Sequence, residues 1–115
     1  MLFNIQLLDN KGESWFLGKR DLPSTQMLEM AGKRLPMLKD QNPDFAQGAI
    51  PAFGLELAKV IRNNSSEDEI DKAVIELALC ILTVELYLGV TQEVLSHRNF
   101  DIFVQDNGMV EVKNI

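Results

Sequence analysis

Few side chains in this chain are able to do chemistry. There is one histidine, His97, and one cysteine, Cys80. Nucleophilic catalysis needs a nucleophile with a base beside it. His97 stands next to Arg98 at the end of a short predicted helix, where a C-terminal cap or a solvated residue is expected. Cys80 lies inside an apolar helical run and reads as a small buried hydrophobe. Two such ligands fall short of the three or four that a soft-metal site uses. Neither a phosphate-binding P-loop nor a G-x-G-x-x-G fingerprint occurs. Carboxylates remain. On a helix, E-x-x-E or E-x-x-D sets two of them on one face, and two such helices can hold Mg²⁺. The stretches to weigh are GLELAKVIRN and IDKAVIELALCILTVELYLG.

The second of these stretches belongs to the segment that organises the chain, Glu67 to Gly89. Ile70, Ala73, Val74, Leu77, Ile81, Val84 and Leu88 recur at helical spacing and form one apolar stripe; Ile75, Leu79, Leu82 and Leu86 form a second beside it. A helix apolar on most of its circumference needs cover on several sides, from its own domain or from another chain. Ser66-x-x-Glu69 is a capping box, and Glu67, Asp68, Glu69 and Asp71 suit the positive end of the helix dipole. Helix-start chemistry accounts for that acidic cluster; recognition of a basic partner is its functional reading. Gly89 ends the helix, and Thr91-Gln92-Glu93 starts a short fourth one.

Ahead of it, Asp21-Leu22-Pro23-Ser24-Thr25 predicts a helix start with a hydroxyl cap. Met27, Leu28, Ala31, Leu35 and Leu38 share the inner face, and Pro36 is expected to kink or end that helix. Residues 40–52, with two prolines and a glycine, read as a linker and a candidate mobile loop. A second helix is expected from about Pro51 to Arg62, with Phe53, Leu57, Val60 and Ile61 inward, ending at Asn63-Asn64. Lys33, Arg34 and Lys39, with Lys19 and Arg20, are interleaved with acids and read as a solvated face.

A hairpin is expected at each end. Residues 2–8 and 13–18 flank a three-residue loop, Asn10-Lys11-Gly12, with Gly12 left-handed. That loop length places Phe3, Ile5 and Leu7 on one face with Trp15 and Leu17. At the C-terminus, FDIFV and MVEVKNI flank Asp106-Asn107-Gly108. A loop closing at Gly108 aligns Phe100, Ile102 and Val104 with Val110 and Val112. Phe103 and Met109 are then apolar exceptions on the polar face and candidates to meet a partner. The fold class is therefore α+β: one domain over 1–115, an N-terminal β-hairpin, three main helices with a long central apolar one, and a C-terminal β-hairpin. Joining the hairpins into one sheet under the long helix would relieve the marginal stability of an isolated ribbon.

Two families resemble parts of this text. GLELAKVIRN followed by IDKAVIELALCILTVELYLG looks like the helix pair of the MazG-like all-α nucleoside triphosphate pyrophosphohydrolases. The resemblance implies Glu56 and Glu76 as Mg²⁺ ligands; Lys59 and Leu79 stand where the second carboxylates belong, which implies lost hydrolysis. FNIQLLDNKGESWFLGKRDLPSTQMLEM is similar to small phage tail assembly chaperones, and implies a non-catalytic protein of phage origin that holds aggregation-prone polypeptides.

Charge narrows the partners. Lys/Arg and Asp/Glu sum to +1 over residues 1–62 and to −7 over 63–115, within a net charge of −6. An acidic chain repels phosphate backbones, so direct nucleic-acid binding is not expected. Leu77–Val90 is too short, and is interrupted by Glu85, for a bilayer span. The N-terminus lacks the basic and long apolar regions of a signal peptide, and a lone Cys80 fits a reducing cytosol; a cytoplasmic protein is expected. No cofactor is implied. The leading expectation is a non-enzymatic acidic protein-binding module (adaptor, assembly chaperone or inhibitor), with self-association through the long helix as a further possibility. A degenerate MazG-like nucleotide binder is the alternative.

Overall fold

The computed structural model describes the backbone of residues 1–40 and 43–114 and the side chains of 1–40 and 48–113. Among the described residues eight elements follow one another: β1 (Leu2–Leu8), β2 (Ser14–Asp21), α1 (Ser24–Lys39), α2 (Pro43–Arg62), α3 (Glu67–Tyr87), α4 (Gln92–Ser96), β3 (Phe100–Gln105) and β4 (Val110–Asn114). The two hairpins join into one four-stranded sheet in the order β2-β1-β3-β4. The seam is a parallel pairing of β1 with β3, and the helical block is the crossover that a parallel pair requires. Phe3 and Phe100 stack across it, ring centroids 5.0 Å apart.

Alternation decides which face of the sheet is covered. Phe3, Ile5 and Leu7 on β1 and Phe100, Ile102 and Val104 on β3 are buried in one core with Leu77, Ala78, Ile81 and Leu82 of α3. The opposite sheet face, which among the described residues carries no helix, holds Asn4, Gln6, Asp101, Phe103 and Gln105. Helices α1 and α2 both pack on α3. Leu79 and Leu82 of its second stripe are fully buried, while Ile75 and Leu86 are half-buried. The cover this helix needs thus comes largely from its own chain. Leu88, expected on the first stripe, lies past the last turn and is exposed.

Both ends of α3 follow the sequence. Ser66 Oγ accepts a hydrogen bond from the Glu69 amide at 3.3 Å. Gly89 has φ +96°, and the amides of Gly89 and Val90 donate to the carbonyls of Leu86 and Glu85, a Schellman ending. Thr91 caps the short α4.

Elsewhere the structure corrects the sequence. The N-terminal loop is the expected one, with Gly12 at φ +80°. However, the β1–β2 ladder is irregular between Leu7 and Leu8: Leu8 faces Ser14 while Leu7 faces Phe16. Trp15 is the extra residue of a bulge, and every residue after it changes face. Phe16 and Gly18 lie opposite Leu7 and Ile5; Leu17 lies opposite Gln6 and is 71% exposed. Pro36 does not end α1, which runs three residues further; its missing amide costs one hydrogen bond to the Gly32 carbonyl, but the turn beyond it still closes, the Asp40 amide donating to the Pro36 carbonyl at 3.3 Å. The cap of α1 is Pro23 with no side-chain hydrogen bond, so neither hydroxyl of Ser24-Thr25 plays the expected role. Helix α2 begins at Pro43, not Pro51, and Pro51 sits within it. Most of the expected 40–52 linker is therefore helix; positions 41 and 42 of it lie outside the described residues. Pro43 opens the helix at the position where a missing amide is harmless. Among the described residues there are four helices, three long and one short.

Candidate functional site

The carboxylates singled out above converge in part. Glu56 on α2 and Glu76 on α3 line one depression of about 350 Å³ between the two helices, together with Phe53, Val60, Glu69 and Lys72. Helical spacing brings them there: Phe53, Glu56 and Val60 follow at three and four residues on α2, as do Glu69, Lys72 and Glu76 on α3. Glu76 is not a free ligand. Its two oxygens accept from the Arg34 guanidinium of α1 at 3.0 and 3.1 Å, a bidentate pair. Those hydrogen bonds hold Arg34 still more firmly protonated than an ordinary arginine. Both side chains remain partly in water, so the pair orients the site more than it stabilises the fold. Among the described residues, no group of three or more His, Cys, Asp or Glu is placed to hold a metal ion.

A second depression, of about 340 Å³, adjoins the first. It is lined by Arg34, Met37, Leu38, Phe53, Cys80 and Val84, with Ala49 and Thr83 completing it. Phe53 is common to both depressions, and the Arg34–Glu76 pair spans them, since Arg34 lines one and Glu76 the other. The walls are apolar. Thr83 spends its hydroxyl on the Leu79 carbonyl at 2.6 Å. Burial pushes the Cys80 thiol up to about 11, so at neutral pH it is a neutral apolar wall and not a nucleophile. Met37 stands at the rim, 72% exposed.

The other sequence candidates are dispersed. Asp71 accepts from Arg20 Nε of β2 at 2.7 Å, and Glu67 lies 3.7 Å from the same guanidinium. Two members of the acidic cluster thus face an arginine of their own chain. Asp68 and Glu69 stay exposed, and Glu69 joins the acidic depression. Phe103 lies on the helix-free sheet face with the Lys113 ammonium 5.3 Å over its ring. Met109, at the end of the same hairpin, is 62% exposed. These two do not meet the acidic cluster. His97 is exposed at the C-cap of α4. Met37, Phe53 and Arg34 were not singled out as site residues by the sequence; their meeting depends on how α1 and α2 pack on α3. Among the described residues no helix is long and apolar enough to cross a membrane.

No protein-family model, curated protein sequence or solved structure matches this chain.

Proposed function

We propose that the chain is a non-enzymatic protein-binding module, acting as an adaptor, assembly chaperone or inhibitor. The observation that supports this most is the apolar depression where α1, α2 and α3 meet, with Met37 standing into water at its rim. Apolar walls with few polar groups suit another protein's apolar side chains. Methionine adapts its shape to what it meets, which suits a surface that holds incompletely folded polypeptides. The test is co-purification of the tagged chain from its native host, comparing wild type with Met37→Glu. A stoichiometric partner retained by the wild type and lost by the variant supports the reading. Recovery of the chain alone overturns it.

A second reading is favoured by one observation: Glu56 and Glu76 line the same depression. A degenerate Mg²⁺-dependent nucleotide binder would hold its ion there. Binding to the folded state must raise the melting temperature. Mg²⁺ with nucleoside triphosphates then gives a saturable rise that Glu56→Gln removes; a flat titration eliminates this reading.

A further inference from the structure

Resting on the protein-binding reading, the geometry points to one occupant: we infer that the α2/α3 face is a docking groove for a basic amphipathic helix of a partner protein. The two depressions are chemically unlike and adjoin at Phe53. One presents Glu56, Glu69 and Glu76 against a single Lys72. The other presents Met37, Leu38, Cys80 and Val84. Arg34 neutralises Glu76 at the junction, which leaves Glu56 and Glu69 as the carboxylates that face a ligand. From Glu69 to Val84 the groove follows α3 for about 22 Å, or about four helical turns. A helix laid along it would set apolar anchors in the second depression and lysines or arginines over the first.

Charge selects among occupants. A second copy of this chain would bring a further net charge of −6 against the same acidic half. Nucleic acid and anionic lipid are repelled for the same reason. An uncharged apolar segment would fill the second depression and leave the first without a counterpart. A cationic amphipathic helix satisfies both.

The test uses the full chain and a fluorescein-labelled, helix-forming Leu/Lys peptide of amphipathic pattern. A scrambled Leu/Lys peptide and a Leu/Glu peptide of the same pattern serve as controls. Anisotropy should show saturable binding of the patterned Leu/Lys peptide alone. The double variant Glu56→Lys, Glu69→Lys should weaken it at least tenfold. Met37→Glu should weaken it about fivefold even though it adds negative charge. Amide shifts on titration should concentrate at Ala49, Phe53, Thr83 and Val84. All three exchanges alter exposed side chains, as does the control Leu17→Ser on the helix-free sheet face, which should change nothing. No binding of the patterned peptide overturns the inference. So does binding that Met37→Glu leaves unchanged or tightens, since bulk charge alone would then explain it. If those results come with a stoichiometric partner from the host, the protein-binding reading survives and the groove assignment falls.

Discussion

The two hairpins are built on the same plan and end differently. Each closes through three residues onto a glycine with positive φ, Gly12 at +80° and Gly108 at +89°. Each contributes three fully buried residues to the central seam. In the C-terminal hairpin the ladder runs undisturbed from Val104↔Val110 to Phe100↔Asn114. In the N-terminal hairpin it breaks at Trp15. The difference lies in what presses on them. Helix α2 closes on β3 and β4: a Cβ on Gly54 would stand 2.6 Å from Val110 Cγ2, and Leu55 covers Gly108. A strand held that closely keeps its alternation. On the N-terminal hairpin α2 reaches the bulge with Arg62, whose guanidinium lies 4.9 Å over the Trp15 ring. A turn therefore sets where a ladder begins, and packing sets whether it continues.

The seam offers the hardest way to break the comparison, because it belongs to both hairpins. Phe3→Ala and Phe100→Ala should each cost about 3–5 kcal/mol, a large share of a small domain's stability. The double variant should cost less than the sum, since each single change already removes the stacked pair; urea denaturation reads all three. A smaller contrast sharpens the comparison. Gly12→Ala should cost about 1–2 kcal/mol for the left-handed backbone alone, because nothing stands within 4 Å of its new Cβ. Gly108→Ala should cost about 1 kcal/mol more, since its Cβ meets Leu55 Cδ1 at 3.2 Å and Cγ, which a change of rotamer at the tip does not remove, at 3.3 Å. Equal midpoints for the two would show that α2 does not bear on the C-terminal turn.

Gly54→Ala should lower stability by about 1–2 kcal/mol, the collision with Val110 outweighing the gain in helix propensity. A stabilised variant would mean that α2 stands further from the sheet. The smallest effect falls on Arg62, which pairs with Asp106 of one hairpin and stacks on Trp15 of the other. Arg62→Gln should cost about 0.5–1 kcal/mol in thermal melts, and less as salt is added.

Much of this was legible in the sequence where local chemistry decides. The cap at Ser66, the ending at Gly89 and the register of the C-terminal hairpin follow from residue types at fixed offsets. The bulge did not, because loop length says nothing of an irregularity three residues beyond it. Nor did the start of α2: Pro43, Gly48 and Pro51 read as breakers, and tertiary packing carries the helix through two of them. In the site, Glu56 and Glu76 were legible as helix-face carboxylates. The engagement of Glu76 by Arg34, forty-two positions away, was not.

The parallel seam has a consequence for synthesis. Asn4 and Asp101, neighbours across it, are 97 positions apart. At about 5–20 residues per second, the first strand leaves the ribosome some seconds before its mate exists. Through that interval the nascent hairpin has an open edge, and its greasy underside waits for α3, which is made only shortly before β3. The sheet can close only after Phe100–Gln105 has been made, by long-range pairing that is slow by its nature.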